Sequence, residues 1–280
     1  MNKALAIFEL MRLDKPIGIY LLLWPALLAL VISTNGDFEY ADLLIVIAGS
    51  VLVRSAGCVI NDIWDKDLDG GVERTKTRPI PSKKLSISES WAVFAILGVL
   101  SLMLLSLTNT NTIYVSICFG LMIVIYPLTK RFFIGPQIFL GLTFNPTIIV
   151  YAMTNELNNP TMIFLYFAIA AKTIAFDSFY GLCDIDDDKK LGINSTPLWW
   201  GSKTLLIIAI LQFTVIGLLL IVGLKAGLSF AWYIGIILLS GFYFYQHKLA
   251  SQKNFLLAFK NNHWASLYLL MLSGFCFLII

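Results

Sequence analysis

The stretch LLIVIAGSVLVRSAGCVINDIWDKDLD, from Leu43 to Asp69, decides how this chain folds. Up to Ile60 it is apolar or small-sided apart from Arg54, and it approaches the roughly 20 apolar residues that a helix needs to cross a bilayer. It ends in an amide and four carboxylates within nine residues, 61–69. Ionisable groups near hydrocarbon are costly and are functional candidates by default. The stretch therefore predicts a membrane-spanning helix that carries a functional acid cluster at its end.

The composition of the whole chain is that of a polytopic membrane protein. Of its 280 residues, 58% are hydrophobic and 13% are charged, and the mean hydropathy is +0.81. A soluble domain is about half apolar and a quarter charged. The small net charge of +3 argues against a nucleic-acid-binding surface. The four cysteines have no close spacing, so neither a disulfide framework nor a zinc site is indicated.

Apolar segments of membrane-spanning length follow one another along the chain, separated by turn-forming residues. No linker or change of composition divides them, so residues 1–280 are expected to form a single all-α domain with about nine transmembrane helices. The predicted segments are 17–34, 41–61, 89–107, 111–128, 134–153, 160–181, 203–222, 227–246 and 264–280.

Basic residues are distributed unevenly between the two sides of these segments. We place the N-terminus and the loops after the even-numbered segments on one side. That side then holds all of the 20 Lys and Arg residues except Arg54 and Lys172, inside spans, and Lys225. By the positive-inside rule it is the cytoplasmic side. Nine spans put the C-terminus on the opposite side of the membrane.

A second acid cluster, Asp184-Ile185-Asp186-Asp187-Asp188, follows the sixth segment and falls on the same side as the first. Four carboxylates within five residues repel one another, so either a metal ion or the flanking lysines must offset them. We favour a metal ion. At helical spacing, Tyr180, Asp184 and either Asp187 or Asp188 share one face.

The spacing in the first cluster suits a hard cation. Asp62, Asp65 and Asp69 are three and four residues apart, and Asn61 and Asp65 also share a helical face. Mg²⁺ takes one or two protein carboxylates and completes its shell with water and substrate phosphates. The alternative is a solvated loop that only caps a span, but a second acid cluster on the same side favours the cation.

Basic side chains lie close to both clusters in sequence. Arg74 and Arg78 are suited to grip diphosphate oxygens in a bidentate manner, and Lys130-Arg131, after Tyr126, offers a second pair. An ordinary positive-inside loop would also contain such residues. The coincidence with the acids favours a phosphate-binding role.

Arg54 lies inside a predicted span and needs an anionic partner there. It is almost two helical turns before Asn61 and so faces the same way, about 10 Å along the axis. Asp177 of the sixth segment is one candidate partner. The other is an anionic substrate, since a small aromatic acid would fit between Arg54 and a metal-bound diphosphate. Lys172 is a second cation inside a span, too distant from Asp184 to touch the metal.

Together these motifs resemble the UbiA superfamily of intramembrane prenyltransferases, over nearly the whole chain. In combination they are far more specific than either acid motif alone. The matching positions are Arg12–Gly18 with Leu23-Trp24-Pro25; Arg54, Asn61-Asp62, Asp65, Asp69, Gly70, Arg74-Thr75 and Arg78-Pro79; Tyr126-Pro127, Lys130-Arg131, Pro136-Gln137 and Gly141; and Asp177, Tyr180, Asp184, Asp186-Asp187-Asp188, Lys190, Gly192-Ile193 and Ser195-Thr196.

The resemblance implies nine helices around a central cavity in a bacterial inner membrane, with both aspartate motifs at its cytoplasmic cap. It implies Mg²⁺-dependent transfer of a polyprenyl group from polyprenyl diphosphate to 4-hydroxybenzoate in ubiquinone biosynthesis. The implied metal ligands are Asn61, Asp62, Asp65, Asp69, Asp184, Asp187 and Asp188, of which Asp65, Asp69, Asp184 and Asp188 are also the implied catalytic residues. The implied substrate-binding residues are Arg54, on the benzoate carboxylate, and Arg74, Arg78, Tyr126, Lys130, Arg131, Tyr180 and Lys190.

Other functions are compatible with parts of the pattern. A secondary transporter also has many helices and buried charges, but its helices are typically broken near mid-depth, whereas these acids lie at helix ends. Within the superfamily, haem or naphthoate could be the acceptor, although Arg54 favours a benzoate. Two positions depart from the family pattern, Lys172 in place of an aromatic residue and Asn145 in place of a hydrophobic one. They bear on the shape of the cavity and on the prenyl chain length it accepts.

Overall fold

The computed structural model describes residues 3–71 and 74–278. These residues form thirteen α-helices and two 3₁₀ turns and contain no strand, which confirms the all-α prediction. The helices are α1 (Lys3–Leu10), α2 (Ile17–Ser33), α3 (Tyr40–Trp64), α4 (Ile87–Leu105), α5 (Thr110–Thr129), α6 (Pro136–Thr143), α7 (Thr147–Met153), α8 (Thr161–Gly181), α9 (Ile185–Leu191), α10 (Thr196–Trp200), α11 (Thr204–Lys225), α12 (Phe230–Ser251) and α13 (Phe255–Leu278).

Every predicted apolar segment corresponds to a long helix or a pair of helices in the described chain. Five stretches are both long and apolar enough to span a bilayer by themselves. The first segment is a shorter apolar helix, α2, so the structure is compatible with nine spans. The five stretches are Tyr40–Trp64, Ile87–Leu105, Thr110–Thr129, Thr161–Gly181 and Thr196–Lys225.

The prediction of one continuous helix over 134–153 is wrong. The chain ends α6 at Thr143 and begins α7 at Thr147, because Pro146 has no N–H and disfavours a helical conformation at the residue before it. Asn145 supplies hydrogen bonds at this break. Its amide donates to the Tyr166 carbonyl (2.8 Å), and its side-chain oxygen accepts from the Thr147 N–H (3.2 Å). Asn145 thus has a structural role at this break.

The predicted start of the last segment, at 264, is also wrong, since α13 begins at Phe255. The polar run 260–263 lowers the hydropathy there without interrupting the helix. Asn262 is buried, and its amide bonds to carbonyls of its own helix, at Ala258 (3.1 Å) and Phe259 (3.3 Å). The predicted end at 280 lies outside the described residues.

Helix α8 is the centre of the bundle. It packs against α11, α6, α13, α7 and α2, and two thirds of its membrane-spanning window is buried. By contrast α4 is peripheral and packs chiefly on α3. The close contact of α6 with α8 depends on Gly141, where a Cβ would lie 2.6 Å from the Ile174 side chain and 2.8 Å from the Ala170 carbonyl oxygen.

Substituting Gly141 by Ala tests this packing. We expect Gly141→Ala to lower the free energy of unfolding by about 1–3 kcal/mol, because an added methyl group in a packed interface forces the helices apart. Thermal unfolding of the detergent-solubilised protein measures the effect. Gly217→Ala is the matched control, since a Cβ at Gly217 in α11 meets no atom within 4 Å. Equal melting temperatures for the two variants would contradict the proposed contact.

Candidate active site

Both acid clusters line one cavity of about 1270 Å³ inside the bundle. The first cluster follows the end of α3 and the second the end of α8, and the Lys130 end of α5 lies beside them. The structure thus brings together the two motifs that the sequence predicts to meet. Most of the predicted site residues line this cavity: Arg54, Asn61, Asp62, Asp65, Asp69, Arg74, Arg78, Tyr126, Lys130, Tyr180, Asp184 and Asp188.

Asp62 and Asp69 share an arginine in the first cluster. Arg78 Nη1 donates to Asp62 Oδ1 at 3.1 Å and to Asp69 Oδ2 at 2.8 Å. Asp62 also receives Arg12 Nη2, at 2.8 Å on Oδ1 and 2.7 Å on Oδ2. Such buried, charge-assisted hydrogen bonds are strong, and loss of one partner leaves an uncompensated charge. This network fixes the positions of both carboxylates.

Asp65 is buried and only half paired. Its Oδ2 accepts from Lys130 Nζ at 2.5 Å and from the Asn61 amide at 3.1 Å, whereas its Oδ1 is buried without a hydrogen-bond partner. Burial raises the pKa of Asp65 above its usual value, and the Lys130 ammonium opposes the rise. A cation at Oδ1 would satisfy this oxygen and stabilise the charged form.

Arg74 connects the two clusters. It follows the first cluster in sequence and donates to the second, with Nε 3.0 Å from Asp184 Oδ1 and Nη2 2.5 Å from Asp184 Oδ2. It also donates to the Tyr180 hydroxyl and lies over that ring, 4.5 Å from its centroid. Nearby, burial and the Asp184 carboxylate raise the pKa of Asp188 to about 6. Asp184 and Asp188 therefore form a second site at which a cation would relieve repulsion.

Three of the predicted site residues lie off the cavity. Asp187 and Lys190 point to the surface of α9, where they form an exposed pair at 3.4 Å. The Arg131 guanidinium donates to the Trp64 carbonyl at the end of α3. It helps to hold α5 against α3 and does not line the cavity.

The carboxylates of the cavity fit Mg²⁺ as part of its ligand shell, and a substrate would supply the remaining ligands. Within 3–71 and 74–278, no group of three His, Cys, Asp or Glu side chains is close enough to bind a metal ion without other ligands. The free Asp65 Oδ1 supplies a hard oxygen ligand on one side of the cavity. On the other side lie the carboxylates of Asp188 and of Asp184, whose oxygens each accept one hydrogen bond from Arg74 and keep lone pairs for a cation. Mg²⁺ is commonly held by one or two carboxylates and completed by phosphate oxygens, so these residues fit that ion together with a phosphorylated substrate.

Arg54 is the cation of the deeper part of the cavity. It packs on α2 at Gly18, where a Cβ would lie 2.4 Å from Arg54 Nε, and over the Phe144 ring, 5.2 Å from its centroid. Arg54 Nε is buried without a hydrogen-bond partner, and no ion pair joins Arg54 to Asp177, both in the described chain. Of the two candidate partners for Arg54, the structure therefore does not form the ion pair with Asp177, and the buried Nε is available to an anion in the cavity.

Lys172 has a structural role between helices and is not on the cavity. It is buried, and its ammonium donates to the Ser266 hydroxyl and contacts the Asn262 carbonyl of α13 at 3.5 Å. It also lies 5.6 Å from the centroid of the Phe176 ring. The polar run at the start of α13 therefore provides the partners for this cation.

An apolar groove extends from the polar mouth, between α4 and α5, with α3 as its floor. Both helices pack on α3 but, over their described lengths, hardly on each other. A Cβ at Gly98 of α4 or Gly120 of α5 would meet no atom within 4 Å. At the far end the Asn109 amide donates to the carbonyls of Ala152 (2.8 Å) and Met153 (3.0 Å), which ties the α4–α5 turn to α7.

Sequence reasoning assigned no role to Arg12, which the structure places in the centre of the first cluster. The sequence did contain an indication of this role. Arg12 lies two residues before an Asp and close to the first span, where a charged side chain needs a partner. The partner is 50 residues away, so no local spacing could identify it.

Comparisons with known proteins identify a matching family and similar sequences. The model of the UbiA prenyltransferase family matches residues 22–277. The 4-hydroxybenzoate octaprenyltransferase of Pseudomonas aeruginosa LESB58 is 39% identical over 265 residues, 92% of this chain and 89% of that protein. The protein of the same name from Alcanivorax borkumensis is 41% identical over 262 residues, 92% of this chain and 90% of its own length.

Two solved structures share the fold at low sequence identity. A UbiA homologue from Aeropyrum pernix superimposes with a TM-score of 0.79 at 23% identity, covering 90% of this chain and 94% of its own. A UbiA homologue from Archaeoglobus fulgidus, bound to GPP and Mg²⁺, has a TM-score of 0.75 at 17% identity and covers 98% of this chain and all of its own.

Proposed function

The chain belongs to the UbiA prenyltransferase family, and we propose that it transfers a polyprenyl group from polyprenyl diphosphate to the ring of 4-hydroxybenzoate, with Mg²⁺ as cofactor. The observation that carries the proposal is the single cavity that joins two aspartate clusters, a buried arginine and an apolar groove. Each of these features suits one part of the two substrates. The relatives from Pseudomonas aeruginosa and Alcanivorax borkumensis are named 4-hydroxybenzoate octaprenyltransferases. This favours 4-hydroxybenzoate over haem or naphthoate as the acceptor.

The diphosphate would bind at the mouth of the cavity. Lys130, Arg74 and Arg78 lie there, and their charges would stabilise the negative charge that develops on the leaving diphosphate. When bound through Asp65 and the Asp184–Asp188 pair, Mg²⁺ would supply further stabilisation of that charge. Interactions that strengthen only as the charge develops raise the rate of the chemical step.

The acceptor would bind deeper, with its carboxylate on Arg54. Tyr126 and Tyr180 line the same cavity, and their aromatic rings would stabilise an allylic cation. Exclusion of water by the surrounding helices would protect that cation until the ring carbon beside the phenol oxygen attacks it. The ring then loses a proton.

The groove between α4 and α5 would hold the prenyl tail. It is continuous with the polar mouth and lies between two helices that hardly contact each other, so a long apolar chain would leave the protein laterally, toward the bilayer. We further propose that the chain lies in a bacterial inner membrane with the N-terminus and the site on the cytoplasmic side and the C-terminus opposite, as the distribution of basic residues indicates. The break between α6 and α7 is a feature that a transporter would share, but family membership favours transfer chemistry.

The reaction is tested with purified protein, a polyprenyl diphosphate, 4-hydroxybenzoate and product mass spectrometry. We expect prenylated 4-hydroxybenzoate to form with Mg²⁺, to disappear with EDTA, and to return when Mg²⁺ is restored. Asp65→Asn should lower kcat by at least about a hundredfold, as expected for a group that stabilises charge in the reaction. Undiminished turnover in EDTA would contradict the role of the cation, and no prenylated product with any aromatic acid would contradict the reaction.

Arg54→Ala separates the acceptor from the donor. Because Arg54 is a buried cation with a free Nε, its loss should raise KM for 4-hydroxybenzoate by about tenfold or more, the effect of removing a charged hydrogen bond of about 1.5–3 kcal/mol, with little change in KM for the diphosphate. Steady-state kinetics in each substrate measure both values, and Arg54→Lys should be intermediate. A larger effect on the donor would show that Arg54 has a different role.

Gly98→Phe tests the groove. The aromatic ring should obstruct the space between α4 and α5 and lower kcat/KM for a long-chain donor by about tenfold relative to a short one, the scale of pocket discrimination. Competition between the two donors in one reaction measures the ratio. Gly217→Phe, on α11 away from the cavity, should leave the ratio unchanged. An unaltered ratio in Gly98→Phe would place the tail elsewhere.

A further inference from the structure

Asp62 differs from the other carboxylates of the first cluster in its direction. Asn61 and Asp65 are one helical turn apart and hydrogen-bonded to each other at 3.1 Å, so they share a face of the α3 end. Asp62 is rotated by about 100° from Asn61 and by about 60° from Asp65, so it lies to one side of the face that those two residues share. Its side chain is turned toward the segment after α1, and it is 1% exposed. A shared role with Asn61 and Asp65 is therefore not dictated by the sequence motif.

Both oxygens of Asp62 are already used by arginines. Oδ1 accepts from Arg12 and Arg78, and Oδ2 accepts from Arg12. A carboxylate has about four lone-pair sites, and three are directed at guanidinium groups. Asp65, by comparison, keeps Oδ1 without any partner. Of these two neighbouring carboxylates, the geometry makes Asp65 the one suited to a cation.

Arg12 is held as firmly as its partner. Its Nη1 donates to the Glu9 carbonyl at 2.8 Å, and its own backbone adopts a left-handed conformation with φ of 57°. Non-glycine residues adopt this conformation rarely, and mainly where surrounding contacts impose it. Glu9 in turn pairs with Lys84 at 2.8 Å. The segment after α1 is therefore built to present the Arg12 guanidinium to Asp62.

The network continues into the site. Arg78 Nη1 bonds to Asp62 and also to Asp69 Oδ2, so a chain of ion pairs runs from Arg12 through Asp62 and Arg78 to Asp69. Displacement of Arg12 would leave Asp62 with Arg78 alone. Arg78 would then be drawn further toward Asp62 and away from Asp69.

We propose that Asp62 is a positioning residue and not a cation ligand, and that Arg12 and Asp62 together hold Arg78 and Asp69 in the arrangement that the site requires. The inference rests on the proposed function, because it refines the roles within the same site. It makes the N-terminal segment before the first span a part of the active-site support.

The test compares cation binding with turnover in Asp62→Asn, Arg12→Gln, the double variant and Asp65→Asn. Binding of Mn²⁺ in the presence of inorganic pyrophosphate is measured by calorimetry on the purified full-length protein. Asp62→Asn and Arg12→Gln should bind Mn²⁺ with the wild-type stoichiometry and no more than about threefold more weakly, because both variants keep every oxygen ligand of the cation and shift only Arg78. Asp65→Asn should lose at least about tenfold, since it removes a direct oxygen ligand.

The effects of these variants on kcat should differ from their effects on Mn²⁺ binding. Asp62→Asn and Arg12→Gln should each lower kcat by about 10–100-fold, as is typical of residues that orient a ligand shell, and the double variant should be no slower than the slower single variant. Lys3→Gln is the matched control, because it breaks the exposed Lys3–Glu89 pair between α1 and α4 without touching Arg12, its support or Asp62. It should retain wild-type kcat.

Three results would overturn the proposal: a loss of Mn²⁺ affinity in Asp62→Asn as large as in Asp65→Asn, additive effects of the two single variants on kcat, or an equal loss of kcat in Lys3→Gln. Should Asp62→Asn fail to fold, Arg12→Gln answers the same question: reduced kcat with a smaller loss of Mn²⁺ affinity than in Asp65→Asn supports the proposal, and an equal loss of affinity contradicts it. The binding measurement needs no aromatic acceptor. A failure of the proposed prenyl transfer would therefore be seen as absent product with an intact binding pattern.

Discussion

Carboxylates at the edge of a hydrocarbon layer must be paired with positive charges, and the rest of this structure depends on which basic side chains form those pairs. Removing a charge from water costs several kcal/mol even after relaxation, and Asp62, Asp65 and Asp69 are nearly inaccessible to solvent. Each is matched with a basic side chain from another part of the chain: Arg12 from the N-terminal segment, Arg78 from the α3–α4 loop or Lys130 from the end of α5. Arg74 adds the pairing with α8. These pairs join the helix ends into one polar mouth.

The same arrangement accounts for the chemistry that the family performs. A mouth rich in both signs of charge would bind a diphosphate and its cations, whereas the groove behind it is lined by small and apolar residues. A substrate with a charged head and a long apolar tail would match both parts of this cavity. The buried Arg54, deeper than the mouth, would add selectivity for an acceptor that carries an anionic group.

Sequence reasoning reached the helices, the two clusters and their meeting because these follow from hydropathy, residue type and charge distribution. It missed the break at Asn145-Pro146, since hydropathy over 134–153 is continuous and the buried Asn finds its partner on another helix. It grouped Asp187 with Asp188 because helical spacing allows either, and only the packing of α9 decides that Asp188 faces the cavity. The link from Arg12 to Asp62 spans 50 residues and depends on tertiary structure alone.

The central claim is that the two aspartate clusters act together on one diphosphate. The most direct measurement is anomalous diffraction from crystals grown with Mn²⁺ and a non-hydrolysable prenyl diphosphate analogue. We expect Mn²⁺ at the mouth of the cavity, with carboxylates of both clusters and diphosphate oxygens among its ligands. Mn²⁺ held by one cluster alone, or a diphosphate bound away from both, would contradict it.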